Sequence, residues 1–157
     1  MSLADPLELR ILDALVESLE GIQAGLVYHH TVKTVTTNLL LLASLSSQQC
    51  PALIIVPERE GSQRNYMMGS TVADTYSYLI EARVDAPGVL MGERMEAHLR
   101  LKRDIEFAVT SDQSLGGLAV ETRTEMVQGP YPGIGNDPQV HWQQRVTVVG
   151  VHQVGEP

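Results

Sequence analysis

Two adjacent histidines, His29-His30, are the first residues here that could do chemistry, because imidazoles bind metals and carry protons near neutral pH. Read as strand residues they point to opposite faces, so one ion cannot easily take both. No Cys or carboxylate joins them at ligand spacing. His98, His141 and His152 stand apart and are expected to be solvated or satisfied in the core. Ser44, Ser46, Ser47 and Ser114 show no nucleophile elbow or triad signature. Gly116-Gly117 has the flavour of a phosphate loop, but no Gly-Lys-Ser/Thr follows, and the pair opens a strand where a phosphate loop would open a helix. Glu58 and Glu60 flank Arg59 in a polar stretch, and acid–base work would need a desolvated pocket around them. No catalytic, cofactor-binding or metal-binding residue is therefore assigned. The chain is expected not to be an enzyme and to use no cofactor.

The remaining candidates are contact residues. Tyr66, Met67 and Met68 interrupt a polar stretch, 58–69, that reads as a long exposed loop. They form either an adaptable contact surface or a loop folded back over its own core. A second long loop, 129–138, carries Tyr131 and Ile134, anchors of the type found at interfaces.

Composition sets the frame for these residues. A chain of 157 residues suits a single domain, 1–157, and its 43% hydrophobic content can fill a core without disulfides or metals. With one Trp, one Phe and five Tyr, the packing falls mainly to Leu, Val and Ile. The single cysteine, Cys50, excludes an internal disulfide and reads as a small buried side chain. Nineteen acidic against eleven basic residues give a net charge of −8, which repels phosphate backbones and argues against sequence-reading of nucleic acid. Residues 1–8 lack the basic and apolar regions of a signal peptide. The apolar runs at 39–43 and 52–56 are too short to cross a bilayer, so no membrane partner is expected.

The positioning elements follow from periodicity. Asp5, Pro6 and Glu8 predict a capped helix start, Leu12, Leu15, Val16 and Leu19 supply the apolar seam, and Gly21 offers a stop. β-Branched residues over 27–37 predict a strand, and 52–56, between Pro51 and Pro57, a strand buried on both faces. Residues 71–85 alternate, with Tyr76, Tyr78, Ile80, Ala82 and Val84 on one face and Thr75, Ser77, Glu81 and Arg83 on the other. A second helix is expected over 90–109, leaving through 112–117. In the strand 118–127, Leu118, Val120 and Met126 share a face; a last strand occupies 139–152. Paired as a hairpin, these two would set Glu121 against Arg145, Arg123 against Gln143 and Glu125 against His141. The fold class is α+β, a mostly antiparallel sheet with two main helices packed against it.

Over most of its length this pattern resembles the tail terminator and tail completion proteins of long-tailed phages, the minor tail protein U type. The resemblance runs through the opening helix, Thr31-Val32-Lys33, the proline-flanked 52–56 strand, the strand from Tyr76 to Val84, the second helix, Leu115-Gly116-Gly117-Leu118 and the closing hairpin. It implies a structural virion protein of the tail and neck, assembled in the host cytoplasm as a homohexameric ring at the head-proximal end of the tail tube. Such a ring ends tube polymerisation and presents a surface to the head connector. Its partners would be its own copies, the tail tube protein and the neck proteins, with DNA passing through without specific binding. Acidic residues among Glu8, Glu17, Glu20, Glu58 and Glu60 would then face the channel. Another neck component, such as a head-completion or connector-adaptor protein, shares this size and symmetry, and a small enzyme or ligand-binding domain is the more distant alternative.

Overall fold

An uninterrupted alternation of apolar and polar residues makes a strand with two unlike faces, and this chain contains two such strands that find each other. The computed structural model describes residues 3–38, 45–58, 63–66, 71–86, 91–133 and 137–153. In chain order the elements are α1 (Leu7–Glu20), β1 (Thr34–Thr36), β2 (Ala52–Pro57), β3 (Gln63–Tyr66), β4 (Thr71–Asp85), α2 (Met91–Thr110), β5 (Glu121–Pro132) and β6 (Gln139–Gln153), with a 3-10 turn at Ser47–Gln49. Among the described residues the strands form one sheet in the order β1-β2-β4-β6-β5, with β3 also on β4. All pairs are antiparallel except β1 with β2, so the α+β class stands.

β4 and β6 pair along their full length, from Thr71 opposite Gln153 to Asp85 opposite Gln139. That register puts Tyr76, Tyr78, Ile80, Ala82 and Val84 beside Val148, Val146, Gln144, Trp142 and Val140 on one face. Both helices cover that face. Leu7, Ile11, Leu15 and Leu19 of α1 and Leu101, Ile105 and Val109 of α2 are buried there with Leu53 and Ile55 of β2. Each large apolar side chain sealed in this way contributes about 1.5–3 kcal/mol. The Tyr78 hydroxyl crosses from the centre of the sheet to donate to the Glu8 carbonyl at 2.7 Å, which ties α1 to β4, and burial pushes its phenol pKa up. At the β2 end the other face is closed as well, with Ala52 and Ile54 buried. Cys50, also buried, has its thiol pushed up to about 11 by desolvation, as suits an inert packing residue.

Several local expectations change. Pro6, not Asp5, occupies the helix cap, with no side-chain capping bond; Leu9 and Arg10 donate their N–H groups to the Pro6 carbonyl instead. Proline at the cap starts the helix one residue later than an Asp5 cap requires. The expected 27–37 strand shortens to Thr34–Thr36, because the buried Asp104 carboxylate of α2 takes the backbone N–H groups of His29 and His30 at 3.0 and 2.9 Å. The 58–69 stretch is not all loop: β3 lies within it and pairs with β4, Gln63 opposite Thr75 and Tyr66 opposite Val72.

The hairpin of β5 and β6 forms, but slipped by four residues from the expected register. Glu121 faces Val149, Arg123 faces Thr147 and Glu125 faces Arg145. The cause is that β5 runs on to Pro132 through two irregularities, taking the first four residues of the supposed 129–138 loop. Gly129, at φ +94°, makes this possible; a Cβ there would lie 2.8 Å from the Trp142 Cβ. An even slip leaves the faces unchanged, so Glu121, Arg123 and Glu125 still share one side. Val120 does not join the apolar row; it precedes the strand and is 63% exposed.

The Leu-Gly-Gly joint takes left-handed angles at three successive residues, Leu115 (φ 48°), Gly116 (φ 69°) and Gly117 (φ 95°). Asp112 organises it, accepting from the Ser114 hydroxyl at 2.6 Å and the Gly116 N–H at 2.9 Å, and these bonds hold its carboxyl below the ordinary value. A leucine at positive φ costs about 1 kcal/mol, and burial of its side chain in the core offsets that cost. Leu115→Ala keeps the backbone penalty and loses the burial, so urea unfolding should show it destabilised by about 2–5 kcal/mol. Leu115→Gly loses the same burial but relieves the angle, and should be more stable than the alanine variant by about 1 kcal/mol. The reverse order would refute this account of the joint.

Candidate interaction surface

With both helices on one side, the odd-numbered side chains of β4, β5 and β6 form a second face, and polar residues dominate its β5–β6 half. Glu121, Arg123 and Glu125 come from β5, His141, Gln143 and Arg145 from β6, and Glu81 from β4. The backbone N–H of Glu58, the residue after β2, donates to the Ser77 carbonyl at 2.8 Å, which carries Glu58 onto the same face.

Arg145 is the hub of this surface. Its Nε and Nη2 donate to the two carboxylate oxygens of Glu58 at 2.7 and 3.2 Å, and its Nη1 donates to Glu125 at 2.8 Å. The guanidinium so placed is held charged well above its ordinary range, first by Glu58 and then by Glu125. Beside it the Gln143 amide donates to Glu81 at 2.8 Å, and His141 lies 3.8 Å from the same carboxylate. Arg123 meets Glu121 at 3.2 Å. The Tyr131 ring lies against His141 with centroids 5.3 Å apart. The whole is a mosaic of four carboxylates held by two guanidiniums and an amide, with an aromatic at one end and partial exposure throughout.

Of the residues expected at interfaces, Tyr131 is on this face, 47% exposed. Tyr66 lies in β3, and Met67, Met68 and Ile134 fall outside the described residues. Of the acidic set, Glu17 and Glu20 are exposed on α1, and Glu8 is half-buried in its first turn. Glu58 lies across the sheet in the Arg145 pair, and Glu60 is outside the described residues. The helix acids and Glu58 are therefore not on one surface.

Of the buried polar side chains, Asp104, Asp74 and Gln144 escaped sequence reasoning, whereas the burial of His98 and His152 lies within the expectation for lone histidines. Asp104 sits on the apolar seam of α2, one position before Ile105, where a lone carboxylate between Leu101 and Ala108 was the available signal. His98, on the same seam, packs edge-on against Trp142 with centroids 4.4 Å apart, and Trp142 donates to the buried Gln144 at 2.7 Å. Asp74 and His152 meet at 2.7 Å where β4 and β6 end, with the Tyr76 hydroxyl donating to the same carboxylate at 3.2 Å. Both side chains of that pair are more than nine-tenths buried, so it clasps strand ends and offers little to a substrate. Among the described residues no group of three His, Cys, Asp or Glu is placed to hold a metal ion, and no helix is long and apolar enough to cross a membrane.

Two measurements check these assignments. A double-mutant cycle of Arg145→Met with Glu58→Gln should give a coupling of about 0.5–1 kcal/mol that shrinks as salt is added, since the pair is bidentate but a third exposed. Zero coupling at low salt would remove Arg145 as the hub. The second concerns pH. Burial lowers the pKa of His98 and of His30 below 6.5, so the unfolded chain takes up protons before the folded one does. Stability is then complete above 6.5 and falls as the pH drops below it, so unfolding midpoints should decline from about pH 7 to about pH 5. His98→Leu should flatten part of that slope; an unchanged slope would mean that His98 does not carry it. No protein-family model matches the chain, and no curated protein does either.

Proposed function

We propose that this chain is a structural subunit of a long-tailed phage, acting as a ring at the head-proximal end of the tail tube, where it ends polymerisation and meets the head connector. The observation that carries the reading is the second sheet face, on which Glu58, Glu81, Glu121 and Glu125 are met by Arg145, Gln143 and Arg123 while the surface stays partly open to solvent. Carboxylates already hydrogen-bonded or ion-paired within the chain lower the cost of laying a neighbour over them, because none of the four has to be desolvated without a partner. Tyr131 adds a rigid aromatic contact at the margin. The resemblance in the opening helix, the Leu115–Leu118 joint and the closing hairpin supports the same reading. On it, the exposed Glu17 and Glu20 of α1 are the acids available to a channel that must not hold DNA, whereas Glu58 is already spent on Arg145.

The test is direct. Purified protein is mixed with tail tubes of the parent phage and imaged by negative stain. Wild-type protein should cap one end of each tube and halt elongation, and Tyr131→Ala should reduce capped ends several-fold with unfolding behaviour unchanged. Binding to the portal side with none at tube ends would move the chain to a head-completion or connector-adaptor role. Binding to neither would refute the reading.

A further inference from the structure

The outer surface of the helix layer carries a second, unrelated feature. Four of the large apolar side chains left exposed gather in one place: Leu26 at 106%, Val27 at 46%, Leu99 at 58% and Phe107 at 39%. Leu99, Arg103 and Phe107 recur every four residues along α2, and so form one stripe. The loop after α1 lies against that stripe. Arg103 donates to the Val27 carbonyl and stacks over Phe107, with Cζ 4.8 Å from the ring centroid, and Tyr28 meets Phe107 edge-on at 5.7 Å. Asp104 locks the same loop through the backbone of His29 and His30. The result is a projection of leucine, valine and phenylalanine around an arginine, an exposed apolar patch of the kind that marks interaction sites, with its apex fully in water.

At the other end of α1 lies a hollow of complementary character. An open cleft of about 400 Å³ is walled by Pro6, Leu9, Leu12 and Pro57, with Glu8 as the charged group in its lining. α1 has 14 residues, so the projection beyond its C-terminus and the cleft at its N-terminus are separated by about 20 Å. A convex apolar patch with an exposed cation therefore stands at one end of the helix, and a concave apolar cleft with an anion at the other.

We propose that the occupant of the cleft is a second copy of this chain: Leu26, Val27 and Phe107 of one copy seat between Pro6, Leu9, Leu12 and Pro57 of the next, with Arg103 set against Glu8. Because the two patches differ, the contact is head-to-tail, and it propagates until the rotation per copy closes a ring. The proposal supplies the subunit contact for the ring reading above; it depends on that reading only for closure, not for the contact itself.

Head-to-tail contacts have a signature that two-fold contacts lack. Leu26→Asp disables the projection and Leu9→Asp the cleft; the first changes a side chain wholly in solvent, and circular dichroism and unfolding midpoints check that both variants fold. In sedimentation velocity the wild type should self-associate, and each variant alone should associate at least about tenfold more weakly. Mixed together, the two variants should form a complex of one copy each and grow no further, because one intact projection and one intact cleft remain. Variants that assemble like the wild type, a mixture that stays monomeric, or a wild type monomeric at all concentrations each overturn the contact. Tail-tube capping is read in parallel. Capping without sensitivity to either variant sinks the contact and spares the functional reading, whereas the one-to-one complex without capping does the opposite.

Discussion

The ladder between β4 and β6 is the constraint from which the rest of the structure follows. Fifteen consecutive antiparallel pairs fix which side chains look toward the helices, and a slip of one residue would turn out to water Tyr76, Tyr78, Ile80 and Val84 of β4, or Val140, Trp142, Val146 and Val148 of β6. At about 1.5–3 kcal/mol for each large apolar side chain turned out, such a slip costs about as much as the whole stability of an ordinary domain. Everything else docks on this two-strand frame. β2 and β3 share the far edge of β4, β5 pairs with the outer edge of β6, and α1 is tied to the centre by the Tyr78 hydroxyl. The open face is a consequence of the same ladder, since what alternates inward on one side must alternate outward on the other.

The helix layer is held by different means. α2 lays Arg94, His98 and Asp104 on the same buried side as Leu101 and Ile105, which an apolar seam alone would not require. Asp104 shows why they persist. Its desolvation is offset by two backbone donors and by Arg103 nearby, and in exchange a loop rich in strand-forming residues is pulled off the sheet and fixed on α2. A carboxylate that binds backbone N–H groups thereby decides the edge of the sheet. β1 keeps three residues, and the ones before it become part of the projection.

This contrast explains what could be read from the sequence. Alternation over 71–85 specified β4 to the residue, and the 3.6-residue pattern placed α2 to within one position at either end, because both signals repeat many times. The faces of β6 and the polar face of β5 were legible for the same reason, while Leu118 and Val120 fell before the strand. Their register was not: it hinges on Gly129 allowing β5 to continue past a bulge, and a bulge leaves no periodic trace. The Asp5 cap failed because Pro6 took the cap position itself. Of the candidate surface, Tyr131 was legible as an aromatic in a turn-rich stretch. The Arg145 hub was not, because its partners Glu58 and Glu125 lie 87 and 20 residues away in sequence. Long-range ion pairs follow topology, and a single sequence shows topology only after the strands have been ordered.

The distribution of charge bears on how copies could approach. α1 carries Glu8, Asp13, Glu17 and Glu20 against Arg10 alone, so its outer side is strongly acidic, whereas on the open sheet face each of the four carboxylates has a partner within the chain. Two copies of a −8 chain repel wherever α1 flanks come within about 8 Å at physiological salt. Contact is cheapest where that flank is avoided, which leaves the internally paired sheet face and the two apolar ends of α1. A neighbour lying over the sheet face adds mass perpendicular to the sheet, while end-to-end contact along α1 adds it in the plane of the helix layer. A molecule with both could join identical copies sideways and unlike partners face-on, and the acidic flank that neither contact covers would remain turned to solvent.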